Sequence, residues 1–312
     1  MEQRHLEHPA QPHKPVLVRE VTELAATQAD SIYVDLTAGY GGHATALLET
    51  MGSGAEAWLI DQDSEAITSL RERFSSDERV RIVHTNFASL DWKTMPLADV
   101  ILLDLGVNSH QLDAGERGFS FQQNGPLDMR MNVTAPTTAA DIVNQLSESA
   151  IAEIIWRYGE DRRSRQIAKA ICQQRSTTPI RTTQELTAII HGAIGSGGRI
   201  NSATKTFQAL RIAVNDELSV LEAVIPRATS HLKPHGRLLI ISFHSLEDRI
   251  VKTAFRTLTK IDVDPITGQP IHDPAKPSFT LVTKKPLTAA PDEIDTNPRS
   301  RSAKLRVVEK QN

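Results

Sequence analysis

The chain has 312 residues, 39% apolar and 23% charged, with a net charge of −3, which excludes a disordered composition and suits two average domains or one large domain with an insertion. Its one cysteine, Cys172, excludes an internal disulfide framework and a cysteine-built zinc cluster. No apolar run approaches the ~20 residues of a membrane helix and no opening segment reads as a signal peptide, so a cytosolic location and no membrane partner are expected.

Short apolar runs alternate with helical patterns in the first half. Strands are expected at 31–36, 57–60, 80–84 and 99–105, with helices at 43–50 and after Ser64, which can cap the turn carrying Ala66, Ile67 and Leu70. Alternation of this kind implies parallel pairing with right-handed crossovers. From Gly106 to Met131 the period is lost, and a stretch this long without one is commonly functional. Helical patterns dominate from Asp141 to Leu232. Thr182 and Glu185 have capping-box spacing, the glycines at 195–198 break the helices, and one long helix is expected to carry Leu210, Val214, Leu218 and Leu221 on a single face. The strand signal returns at 237–243, followed by a capping box from Ser245 to Asp248. Two last strands, 279–283 and 304–308, are expected to form an edge hairpin. The expected division is a core with its first part at residues 1–112, a helical insertion at 113–213, and the second part of the core at 214–312.

Strand one runs into Asp35, Leu36, Thr37, Ala38, Gly39, Tyr40, Gly41, Gly42 and His43. Glycines at such a turn let the backbone approach a ligand at the carboxyl end of the sheet. The spacing is not that of a dinucleotide fingerprint. An acidic Asp35 would repel a pyrophosphate and would suit the cationic amino group of S-adenosylmethionine. Asp61 ends strand two, where a carboxylate can accept both ribose hydroxyls, with Asp63 as the alternative. Asp104 and Asn108 follow strand four, and His244 follows strand five as either a proton acceptor or a backbone-bonded histidine.

Charge is unevenly spread. Between Arg157 and Arg211 there are ten basic residues and three acidic ones, and a second basic cluster lies between Arg299 and Lys310. A phosphate-binding surface and a solvated helix face both account for such stretches.

The strings GGH (41–43), ILLDLGV (101–107), RGFSF (117–121), GPLDMRM (125–131), TFQALRI (206–212) and ISFHSLEDRIVK (241–252) closely resemble one family. So do HKPVLVREV (13–21) and NPRSRSAKLRV (297–307). The family is the bacterial small-subunit rRNA cytosine-N(4) methyltransferases of the RsmH (MraW) type. The resemblance implies an α/β, Rossmann-like class I methyltransferase sheet with an all-helical insertion after the fourth strand. It implies S-adenosyl-L-methionine as cofactor, no metal, and methylation of the exocyclic N(4) amine of a decoding-centre cytidine in 16S rRNA, within the small ribosomal subunit. A homodimer is compatible with it. By matching positions, Gly41, Gly42 and His43 would line the methionine end of the cofactor, Asp61 would hold the ribose, Phe87 would pack on the adenine side, and Asp104 and Gln111 would complete the pocket. Asp104 is the first candidate to polarise the target amine, and His244 or Asn108 the second. Phe119 and Phe121 would stack on the base or peg the loop. The family's usual pattern is departed from at Leu36, Asn108 and His110. The rival functions are a non-catalytic RNA-binding ribosome-assembly factor and a DNA amino-methyltransferase, the latter opposed by the absence of an Asp/Asn-Pro-Pro-aromatic string after strand four.

Overall fold

A computed structural model describes residues 15–106, 117–120, 123–196, 201–260 and 278–312. The expected site residues Asn108 and Gln111, and Phe121, lie outside the described residues. Seven strands form one sheet: β1 (Ile32–Asp35), β2 (Glu56–Asp61), β3 (Val80–His84), β4 (Ala98–Asp104), β5 (Leu232–Ser242), β6 (Phe279–Leu281) and β7 (Lys304–Lys310), in the order β3-β2-β1-β4-β5-β7-β6. The first five pair parallel with one another, with Val34 opposite Ile101 and Leu102 opposite Leu239. Strand β7 runs antiparallel between β5 and β6. The expected edge hairpin is therefore an antiparallel pair, and the chain between its strands includes a short helix at Pro291–Thr296.

The unbroken apolar run of β4 has a physical cause in this arrangement. Both faces of the sheet are covered, so successive side chains enter different cores. Leu102 joins Tyr33, Leu59 and Leu239 on the face covered by α1 (Val18–Ala25), α2 (Gly42–Leu48) and α3 (Ser64–Arg73). Ile101 and Leu103 join Val34 and Ile240 on the opposite face. Leu102 and Leu103 are fully buried, each contributing roughly 1.5–3 kcal/mol.

Among the described residues six helices separate β4 from β5, and the first five form the insertion: α4 (Ala139–Gln145), α5 (Glu148–Gly159), α6 (Ser164–Arg175), α7 (Thr183–Ile194) and α8 (Thr204–Asn215). They share a third core, in which Ile142, Ile155, Ile171, Ile190 and Leu210 pack with Phe119 and Met129. The capping box of Thr182 and Glu185 is present.

The long helix expected to carry Leu210 through Leu221 is two helices. Asp216 adopts φ 49° and ψ 36°, ending α8 and starting α9 (Glu217–Ser230). Leu210 therefore packs in the insertion core and Leu221 in the sheet core. Helix α10 (Ser245–Leu258) then packs on α9 and on the sheet. Two caps sit one residue earlier than expected: the Asp63 side chain, not that of Ser64, accepts from the first turn of α3, and His244 with Glu247 forms the capping box of α10.

Candidate active site

A cavity of about 170 Å³ opens at the carboxyl ends of β1, β2, β4 and β5, the place where open α/β sheets bind ligands. Its floor is the turn after β1. Leu36 N–H donates to Leu102 O and Ala38 N–H to Ile60 O, so the turn is stitched to strands on both sides. The wall includes Gly42, His43, Asp61, Phe87 and Asp104. Gly41 is not part of that wall. It holds φ 79° as the N-cap of α2, and a Cβ there would meet Phe74 Cε2 at 2.7 Å, so it bends the chain from beneath.

Asp61 Oδ2 accepts from Gly39 N–H and Oδ1 from Asp63 N–H, both at 2.8 Å. Each oxygen keeps a lone pair for a hydroxyl. Burial raises the Asp61 carboxyl above its ordinary value, against the backbone hydrogen bonds that lower it. Asp63, the alternative, caps α3 and pairs with Arg117 at 3.3 Å. Beside Phe87, Asn86 Nδ2 donates to Gln62 Oε1 at 2.7 Å. Val220 and Leu221 of α9 complete an apolar slot with Leu36 and Phe87.

At the other end, Asp104 N–H donates to Thr37 Oγ1 at 2.6 Å, and Asp104 Oδ1 accepts weakly from Gly106 N–H at 3.3 Å. Asp104 Oδ2 lies 3.6 Å from His43 Nε2, too far for a hydrogen bond. The His43 ring is 6% exposed, and neither of its nitrogens has a hydrogen-bond partner. Asp35 does not line the cavity. It is buried below, where Tyr33 Oη–H donates to Oδ2 at 2.6 Å and Thr37 N–H to Oδ1 at 3.1 Å. Burial pushes its carboxyl up to about 6, partly offset by the Tyr33 hydrogen bond. A cation in the cavity would therefore meet Asp104 and not Asp35.

Sequence reasoning missed Pro15, Asn297, Arg299, Glu217 and Glu247, all of which line the cavity. Arg299 and Asn297 lie in the string NPRSRSAKLRV, which was a signal without an assigned role. His244 does not line the cavity. It caps α10, with Nδ1 accepting from Glu247 N–H at 3.4 Å. Phe119 is buried in the insertion core under Arg117, 5.7 Å from guanidinium carbon to ring centroid, so it is a peg and not a stacking surface.

A model of the MraW methylase family matches residues 10–311. The chain belongs to that family. It is similar to a protein named Ribosomal RNA small subunit methyltransferase H from Geotalea uraniireducens, 46% identical over 96% of this chain and 98% of that one. A protein of the same name from Coprothermobacter proteolyticus is 45% identical over 96% of each chain. Among solved structures, a SAM-dependent O-methyltransferase from Thermotoga maritima aligns over 95% of this chain and 64% of that one, with 10% identity and a TM-score of 0.40.

The strand order and the family match give the chain a Rossmann-like methyltransferase fold, and membership of a methylase family implies S-adenosylmethionine as its cofactor. The residues present fit that molecule. Asp61 offers acceptors for a ribose, the slot at Phe87 suits an adenine ring, Asp104 offers an acceptor for an ammonium, and the two orphaned His43 nitrogens sit where a polar ligand would satisfy them.

Proposed function

We propose that this chain methylates the exocyclic N(4) amine of a decoding-centre cytidine in 16S rRNA, within the small ribosomal subunit in the cytoplasm. The observation that carries the reading is identity of 46% to a small-subunit rRNA methyltransferase over nearly the whole of both chains, joined to a cavity whose donor set fits the cofactor. No helix among the described residues is long and apolar enough to cross a membrane.

The bound cofactor supplies an electrophilic methyl group on a sulfonium. The chain's contribution is placement, since holding two reactants in line removes much of the barrier. Asp61 fixes the nucleoside end and Asp104 the amino-acid end, and between them the carboxyl ends of β4 and β5 face the position of the incoming amine. With Asp104 assigned to the cofactor, its role as polariser of the amine passes to other acceptors. A buried site of this depth requires the target base to leave its stack.

The helical insertion supplies the RNA-facing charge, although fewer of its basic residues are available than the sequence count suggests. Arg163 pairs with Asp161, Arg175 donates to Val143 O and Leu146 O, Lys205 donates to Glu160 O, and Arg211 pairs with Glu217. Arg157, Arg162, Arg165 and Lys169 remain exposed. In the second cluster, Lys304 and Arg306 pair with Asp248. The decisive experiment is transfer of a labelled methyl group to small subunits lacking this modification, with free rRNA and DNA alongside. Label recovered as N(4)-methylcytidine from the subunits is the expected result, and label in DNA or in another nucleoside refutes it.

A further inference from the structure

One group of side chains beside the cavity is not used by the cofactor contacts. Glu217, the first residue of α9, and Glu247, in the first turn of α10, both line the cavity. One ligand atom from each lies within 4.8 Å of the other and of a His244 ring nitrogen. Arg211 clamps Glu217 through two hydrogen bonds of 2.8 Å, neutralising it. Glu247 Oε2 accepts from Phe243 N–H at 2.8 Å and His244 N–H at 3.2 Å, while Oε1 lies 3.1 Å from His244 Nε2.

The His244 tautomer follows from its cap. Nδ1 accepts the Glu247 N–H, so the ring proton resides on Nε2. That Nε2–H is buried and makes no hydrogen bond, and its separation from Glu247 Oε1 is short without being aligned. The side chain is only 9% exposed. A buried donor is costly to leave unmatched, so a small turn of Glu247 that brings Oε1 into line with it is favoured. A divalent cation fits poorly, because Nε2 carries a proton and Arg211 holds both oxygens of Glu217.

The cluster therefore presents two carboxylate acceptors to the cavity, with the His244 N–H donor behind Glu247. An exocyclic amine, the group by which cytosine differs from uracil at this edge, is its complement. Uracil sets a carbonyl oxygen against the carboxylates instead. We propose that Glu217 and Glu247 form the acceptor-base site by holding the amine, with His244 as the positioning residue that orients Glu247. This rests on the methylation reading above. Acceptors on both amine hydrogens localise the nitrogen lone pair that ring conjugation otherwise withdraws. As the nitrogen–carbon bond forms and the methyl–sulfur bond breaks, the bonding pair stays on sulfur and one amine proton passes to Glu247, whose carboxylate, unlike that of Glu217, Arg211 does not clamp by hydrogen bonds.

The test uses the full chain with Glu247→Gln, Glu217→Gln and His244→Asn. Gln at the third helical position and Asn at the cap preserve the capping interactions, so α10 keeps its start. Methyl transfer to unmodified small subunits by the unsubstituted chain comes first, and its absence sinks the methylation reading itself. Given transfer, Glu247→Gln is expected to lower kcat about 100-fold or more, the lower range for a lost proton acceptor. S-adenosylmethionine affinity by calorimetry and the unfolding midpoint should stay unchanged. His244→Asn should lower kcat less than Glu247→Gln does and leave KM unchanged. The two Gln variants should also erode the preference for a target cytidine over uridine in equilibrium binding of an RNA hairpin, since an amide N–H can face the uridine carbonyl. Turnover within twofold of the unsubstituted chain in both Gln variants overturns the proposal. So does Zn²⁺ or Mg²⁺ binding that Glu247→Gln abolishes, which would mark a metal centre.

Discussion

Asp35 gives a stability prediction with a defined pH window. Its carboxylate is 1% exposed and bonded to Tyr33 and Thr37, and burial raises it from 3.8 to about 6 despite those bonds. The raised value corresponds to about 3 kcal/mol against the charged form in the folded state. Between pH 4 and 6 the folded protein holds a proton that the unfolded chain has released, so Asp35 favours folding at the acid end of that window. Its contribution falls as pH rises and is flat above about 7. Asn is the informative replacement: its carbonyl can accept from Thr37 N–H while its amide donates to the Tyr33 hydroxyl, which accepts as readily as it donates. Urea unfolding of the wild type and Asp35→Asn at half-unit steps from pH 4 to 8 removes the titration common to both. The stability of the wild type relative to the variant should drop by about 2 kcal/mol between pH 4 and 6 and level by about pH 7. A difference that stays constant from pH 4 to 7 would refute the assignment of a buried, proton-holding Asp35.

Gly41→Ala combines a left-handed φ with a Cβ 2.7 Å from Phe74 and 2.9 Å from Leu70; a loss of about 2–3 kcal/mol is expected, from strain of about 1–2 kcal/mol and crowding of flexible side chains, measured as a lowered denaturation midpoint. The paired substitution of Arg162 and Arg165, both exposed and with no salt-bridge partner among the described residues, by Ala should reduce the slope of log K against log salt for rRNA binding by about 1–2. Arg163→Ala should change that slope little, since Asp161 already neutralises it; filter binding across a salt series separates the two.

Seven strands and the helical insertion were legible because the sheet is covered on both faces and the insertion packs around its own core, so the apolar runs and the 3.6-residue periods are strong. The break at Asp216 was not, because the apolar spacing continues across it and the left-handed residue is not a glycine. The caps at Asp63 and His244 were displaced by one residue because Ser64 and Ser245, both competent caps, follow immediately. At the cavity, Asp61 and Asp104 were legible from strand ends, and Gly42, His43 and Phe87 from the resemblance to the family. Asp35 was misplaced since pattern reveals where a strand stops and not which way its last carboxylate turns. Tyr33, two residues earlier and on the same face, was the available signal. Glu217 was hidden behind a helix start that the sequence did not show.

The hydrogen bond from Leu17 N–H to Glu293, spanning 276 positions of the chain, has a bearing on synthesis. Pro15 and Val16 from one end of the chain, and Asn297 and Arg299 from the other, share one cavity rim. Contacts between such distant positions carry the largest loop-closure cost and form late. A nascent chain whose first 260 residues have emerged has its parallel strands and insertion but lacks β7 and the rim residues Asn297 and Arg299. Cofactor binding can mature only after the last strand is in place, so a cofactor-competent molecule is one whose translation and sheet assembly are both finished.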